Sequence, residues 1–166
     1  KDMDDLIQKK LASMMLNNPK RIDYYEQYQK IIDAYNSEQD RATIEKTFMD
    51  LMDLANSMNQ EAKRYVREGF SSDEELSLYD LLFKDNLSKN DIRQLKKVAV
   101  DLLQNIKSKI AELDHWTDKQ ETKAAVDNLI RDTLWKELPE SYDEVSISHY
   151  RQQIYEYVYT RYASVA

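Results

Sequence analysis

SKNDIRQLKKVAVDLLQNIKSKIAEL, residues 88–113, decides the fold class. Ser88-Lys89-Asn90-Asp91 has the form of a capping box: a serine placed to accept the backbone N–H three residues on, with an acidic side chain in the first turn. Behind it Ile92, Leu95, Val98, Ala99, Leu102, Leu103, Ile106 and Ile110 recur at helical steps and share one arc. The opposite arc carries Lys89, Arg93, Lys96, Lys97 and Lys107, with Gln104 among them. The stretch therefore predicts a helix with one apolar and one basic face.

Composition extends that reading to the whole chain. Its 166 residues include one glycine and two prolines. Glycine supplies the positive φ of tight hairpins and bulges, so a sheet protein could hardly be built from this sequence, whereas helices joined by short connections could. Hydrophobic residues at 42% are enough for a core and argue against global disorder. The net charge of −7 argues against a surface that binds nucleic acid all over, while leaving room for a local basic stripe. No apolar run approaches the ~20 residues of a membrane span. With no cysteine there are neither disulfides nor thiolate metal sites, which fits a reducing cytoplasm.

Six further helices flank the deciding one. The first spans about 4–17 and stops at Asn17-Asn18-Pro19, and the second spans about 20–37. A long third helix over about 40–68 places Ile44, Phe48, Leu51, Ala55, Met58, Ala62 and Tyr65 at spacings of 4,3,4,3,4,3, a heptad seam. Gly69 stands where a helix C-cap wants a glycine. Composition changes at Phe70-Ser71-Ser72, dividing residues 1–68 from 69–166. A second capping box, Ser72-Asp73-Glu74-Glu75, opens a helix to about Lys84. A third, Thr117-Asp118-Lys119-Gln120, opens one to about Leu138, and the last helix runs from about 146–148 to the end. The expectation is an all-α bundle of about seven helices with a long heptad-patterned third helix.

The chemistry that is missing is as informative. One glycine permits neither a Walker A loop nor a G-x-G-x-x-G turn nor a G-x-S-x-G elbow. His115 and His149 are far apart, and His115, beside Trp116, reads as a connector residue at a helix end. The clusters Asp2-Asp4-Asp5 and Asp73-Glu74-Glu75 read as solvated helix N-termini rather than metal ligands. No catalytic and no metal residue is assigned.

Two features can carry binding. Residues 89–109 hold six basic side chains, Lys109 included, against Asp91 and Asp101, a balance of +4. Such a stripe is what contact with DNA phosphates or an acidic partner requires, and also what a solvated lysine-rich face looks like. The final helix carries Tyr150, Tyr155, Tyr157, Tyr159 and Tyr162 beside Arg151 and Arg161, spread too widely for one core stripe. Arg151, Tyr155 and Tyr159 are candidates for a partner interface, although tyrosine also rims ordinary cores with its hydroxyl in water.

Taken in order, Tyr65-Val66-Arg67-Glu68-Gly69-Phe70, then Glu75-Leu76-Ser77-Leu78-Tyr79-Asp80-Leu81-Leu82, Leu95-x-x-Val98-Ala99-x-Asp101-Leu102-Leu103, Asp114-His115-Trp116-Thr117 and Ile154-Tyr155-x-Tyr157-Val158-Tyr159 form a recognisable series. It resembles the C-terminal helical domain of the R (motor and restriction) subunit of type I restriction enzymes, over about residues 44–162. The resemblance is distributed rather than anchored on one sharp motif. It implies an excerpt of a longer, cytoplasmic subunit whose nuclease and ATPase domains, with their ATP and Mg, lie upstream. Residues 1–68 would then extend toward the motor domains, and 69–166 would form an assembly domain. This part would be non-catalytic and dock onto the methyltransferase and specificity subunits, close to DNA and with no membrane. The alternative is a helical domain that primarily binds DNA through residues 89–107. A third class, an independent helical enzyme with an acidic metal site, requires carboxylates from two helices to converge inward.

Overall fold

The computed structural model describes residues 2–38 and 40–163. Lys1 and the last three positions of the expected terminal helix lie outside them. Every regular element among the described residues is helical. They are α1 (Asp2–Asn17), a 3-10 turn (Pro19–Arg21), α2 (Ile22–Ser37), α3 (Arg41–Glu61), α4 (Arg64–Arg67), α5 (Asp73–Leu82), α6 (Lys89–Glu112), α7 (Gln120–Glu137) and α8 (Glu144–Tyr162). The chain divides into two compact units, Lys1–Asp73 and Glu74–Ala166.

In the first unit the 3-10 turn follows from Asn18 and Pro19. Asn18 is fully buried and its side chain accepts from the backbone N–H of Lys20, while proline takes the first position, where its missing N–H costs nothing. The turn reverses the chain so that α1, α2 and α3 pack around Ile7, Leu11, Met14, Tyr28, Leu51, Leu54 and Met58. Asp40 caps α3 by accepting from the backbone N–H of Thr43.

The third helix departs from expectation in two ways. It ends at Glu61 rather than continuing to residue 68. The Glu61 carboxylate takes a hydrogen bond from Arg21 at 2.8 Å and one from Arg64 at 2.7 Å, and the backbone turns at Lys63 before the short α4. The buried positions of α3, Thr47, Leu51, Leu54, Met58 and Glu61, keep 4,3 spacing but are displaced around the helix from the expected seam. Ile44, Phe48 and Ala62 of that seam are exposed. Gly69 ends α4 as anticipated: its φ is +87°, Phe70 donates to the carbonyl of Tyr65, and Gly69 donates to that of Val66, the paired bonds of a Schellman motif.

In the second unit α7 packs against both α6 and α8. Gln94 of α6 donates to the Glu137 carbonyl at the end of α7, and Arg151 of α8 meets Asp127 of α7, so the three helices run up, down and up. The predicted apolar arc of α6 is buried from Leu95 to Ile110, with Ile92 half-buried at the edge. Val126, Ile130 and Leu134 of α7 and Ile147, Ile154 and Val158 of α8 are buried as well. Burial of each such side chain is worth about 1.5–3 kcal/mol. Helix α5 buries Leu76, Ser77, Leu78, Tyr79, Leu81 and Leu82, and the Tyr142 hydroxyl donates to the Leu82 carbonyl at 2.6 Å.

Capping was partly legible. Ser88 caps α6 as expected, its hydroxyl accepting from Asp91. The expected box at Thr117 does not cap: α7 starts at Gln120 behind Lys119, which makes no side-chain cap, and the Thr122 hydroxyl donates back to the Trp116 and Lys119 carbonyls. Helix α8 begins at Glu144, earlier than expected, because Asp143 accepts from the backbone N–H of Ser146.

Candidate functional site

Helix α6 presents Lys89, Arg93, Lys96, Lys97 and Lys107 opposite its buried arc, but the five are not equivalent. Lys107 pairs with Glu74 at 3.3 Å, and the Lys96 ammonium lies 5.7 Å from the Tyr79 ring centroid, so both lean toward α5. Glu74 also accepts from the Tyr162 hydroxyl. Burial works to raise its carboxyl, but the hydrogen bonds from Tyr162 and Lys107 outweigh it and hold Glu74 below the usual carboxylate range. Lys89, Arg93 and Lys97 remain exposed, with Arg93 donating to Asn90 within the helix. Along the α6–α7 boundary, burial and then Asp101 push the Glu137 carboxyl up, with Lys136 and Lys97 opposing. The outward-facing cations of the predicted stripe are thus Lys89, Arg93 and Lys97.

Arg151, Tyr155 and Tyr159 follow one another at four-residue steps along α8. The Arg151 guanidinium meets Asp127 at 2.7 Å and ties α8 to α7. Trp116, 1% exposed, donates its indole N–H to the Tyr162 carbonyl at 3.1 Å. Tyr155 and Tyr159 stand edge-on to that indole, with centroids at 6.2 Å and 5.8 Å. Tyr155 is half-buried and Tyr159 is 41% exposed. The three rings form an edge-to-face aromatic cluster whose outer member meets solvent.

The acidic cluster at the start of α5 is more than a solvated N-terminus. Asp73 takes two hydrogen bonds from Arg21, at 3.0 and 2.6 Å, and Glu74 is engaged as described. Among the described residues no group of three His, Asp or Glu side chains could hold a metal ion. Glu112-Leu113-Asp114-His115 carries Glu-x-x-His spacing, but α6 ends at Glu112 and His115 lies beyond it with φ +47° and its side chain 69% exposed. The carbonyl of His115 accepts from Asp118, so it serves the connector.

Sequence reasoning missed the Arg21–Glu61–Asp73 cluster, whose members lie 40 and 52 residues from Arg21 and share no local pattern. It also missed Trp135, 61% exposed on α7. A signal existed for Trp116: a large aromatic inside a short polar connector has few places to go except inward.

Residues 1–160 match the protein family described as "Type I restriction enzyme HindI endonuclease subunit-like, C-terminal". No curated protein and no solved structure matches the chain.

Proposed function

The chain belongs to the family of C-terminal regions of type I restriction endonuclease subunits, and on that premise we propose that it is a non-catalytic docking domain, joining its subunit to the methyltransferase and specificity subunits. The observation that carries this reading is Tyr159. It is held by Trp116 and Tyr155 in one orientation and still offers 41% of its surface to a partner. A pre-organised aromatic loses little entropy on binding, which is what makes such residues interface hot spots. Arg151 and Tyr155 would flank it. The titratable groups with buried partners, Arg21, Glu61 and Glu74, hold helices rather than converge on a cleft. On this reading the ATP and Mg2+ of the parent enzyme belong to its nuclease and motor domains. No step of that chemistry is assigned to this chain. No helix among the described residues is long and apolar enough to cross a membrane.

Pull-down of the methyltransferase–specificity core by the endonuclease subunit tests the proposal. Tyr159→Ala is expected to weaken capture by about tenfold or more, the effect of losing a hot-spot aromatic. Full assembly after deletion of this region would sink it.

The second reading, DNA binding through α6, rests on the exposure of Lys89, Arg93 and Lys97. Reversing these three charges is expected to weaken duplex binding uniformly across sequences. It should also flatten the salt dependence by about one unit of slope for each phosphate that is no longer neutralised. Charge reversal at Lys96 would act less on DNA than reversal at Lys97, because Lys96 lies over Tyr79. Unchanged affinity and slope in the triple variant would remove the reading.

A further inference from the structure

The displaced core of α3 turns an apolar line outward, and the groove beside that line fits a particular partner. Met3, Leu6 and Ile7 of α1 line a surface groove with Ala55 of α3, and Lys10, at the end of that groove, donates to Asn59. On α3, Phe48, Met52, Ala55 and Asn59 follow at steps of 4,3,4 and share one face. Ile44, Phe48, Met49 and Met52 of α3, with Leu6 of α1, are each between 44% and 68% exposed.

Side chains of this size, about half open, offer on the order of 100 Å2 each, so the five leave roughly 500 Å2 of apolar surface. That is most of the about 800 Å2 per partner that a stable interface takes, before any polar rim is counted. The face also holds both halves of a fit. Phe48 stands one turn before Met52, and the groove at Ala55 opens about one turn after it. Glu45 and Asn59 lie two turns to either side of Met52, on the same line. The Glu45 side chain is 66% exposed, and its pair with Arg41 is a solvent-weakened contact along its own helix, so the carboxylate stays open to a second cation. Lys10, which bonds Asn59 at the other end of the line, is an exposed cation.

We propose that this face seats a second copy of the chain, the two α3 helices crossing antiparallel about a two-fold axis at Met52. Such an axis carries Phe48 of each copy to the groove at Ala55 of the other, and Glu45 of each to Lys10 of the other. The contact is isologous, so every interaction is made twice and both ion pairs join opposite charges. The argument for this occupant is self-complementarity: knob and groove, acid and base, stand at matched distances on either side of one residue. A second copy supplies the complement by symmetry, whereas a different protein would need to reproduce it. The inference concerns the first unit alone and stands apart from the docking role of Tyr159 in the second.

Cross-linking and sedimentation of the full endonuclease subunit test this. Met52→Cys, treated with a short bis-maleimide, is expected to give a subunit dimer that the unsubstituted subunit does not, because its two thiols flank the axis. Ser57→Cys, exposed but on the α2 side of α3, is expected to give none. In sedimentation, Glu45→Lys is expected to raise the dimer dissociation constant about tenfold, since it sets like charges together twice per dimer, and adding Lys10→Glu is expected to restore most of the affinity. Phe48→Asp, at an exposed position that the fold tolerates, is expected to leave monomer. A wild-type subunit that sediments as a monomer at micromolar concentration, a Met52→Cys product no stronger than that of Ser57→Cys, or a double charge variant no tighter than Glu45→Lys would overturn the inference. So would a cross-link from position 52 to the methyltransferase–specificity core in place of a second subunit. Tyr159→Ala is expected to leave the dimer unchanged, so the two proposals fail separately.

Discussion

Replacing Trp116 with alanine is expected to destabilise the second unit by about 3–5 kcal/mol, the range for truncating a fully buried large aromatic. The ring is 1% exposed, and the change acts in three ways together. It opens a cavity at the α8 end of the bundle, leaves the Tyr162 carbonyl without the indole donor, and takes away the surface against which Tyr155 and Tyr159 stand edge-on. Urea denaturation of the chain measures the loss. Fluorescence provides a second readout, because the chain has two tryptophans and the other, Trp135, is 61% exposed. The blue-shifted emission of the buried indole should vanish, leaving the red-shifted emission of Trp135. Trp116→Phe keeps most of the area but loses the N–H, so its cost is expected nearer the 1–3 kcal/mol of an orphaned buried acceptor. A loss below about 1 kcal/mol for the alanine variant would show that the ring is not packed as described.

Arg21→Met is expected to cost the first unit about 1–3 kcal/mol near neutral pH, because it takes one of two cationic donors from the buried Glu61 carboxylate, which keeps Arg64, and both hydrogen bonds from Arg21 to Asp73. Arg21 is 3% exposed, and its guanidinium reaches Glu61 at 2.8 Å and both oxygens of Asp73. Burial works against the charge of Arg21, but the hydrogen bonds to Asp73 and Glu61 outweigh it and hold its pKa above the usual value. Burial likewise works to raise the Glu61 carboxyl, and the hydrogen bonds from Arg64 and Arg21 overcome it, leaving the carboxyl below its ordinary 4.5. A depressed carboxylate stabilises the fold above its unfolded pKa, and that contribution is lost as the pH falls through the folded value. The wild-type chain should therefore lose this part of its stability below about pH 4.5. In Arg21→Met the same protonation relieves an ill-compensated charge, so the gap between variant and wild type should narrow as the pH falls. Urea midpoints for both at pH 7 and pH 4 decide the matter. A gap that widens in acid would rule out the ion cluster as its cause.

Much of the architecture was legible because it depends on near neighbours. The period of Leu95, Val98, Ala99, Leu102, Leu103, Ile106 and Ile110 specifies a helix face, and these residues are the buried ones. Ser88 and Gly69 act at the helix ends where their chemistry places them, since a hydroxyl acceptor and a residue free to take positive φ serve the adjoining backbone directly. Thr117 shows the limit of such local signals. Its pattern matches a cap, yet a cap is worth about 1 kcal/mol, less than the burial of the neighbouring Trp116. The chain turns through His115 at φ +47° so that the indole can enter the core, and α7 begins without Thr117 as its cap.

The candidate site divides along the same line. That α6 carries a basic arc was written in its spacing, but which cations stay outward was not. Glu74 and Tyr79, which engage Lys107 and Lys96, lie on another helix. The tyrosines of α8 announced two surfaces, and only the position of Trp116 turned Tyr155 and Tyr159 into an edge-to-face cluster.

By itself, then, the sequence determined an all-helical chain, the residues that make each helix two-faced, and the series that marks a type I restriction endonuclease subunit. Tertiary structure alone decided which apolar face finds a cover, as when α3 buries Leu54 and leaves Phe48 bare, and which charges are neutralised, as when Arg21 gathers Glu61 and Asp73. The reason is physical. Helix formation and capping are settled within a few residues along the chain, whereas burial and ion pairing depend on partners dozens of residues away, whose approach no local pattern encodes.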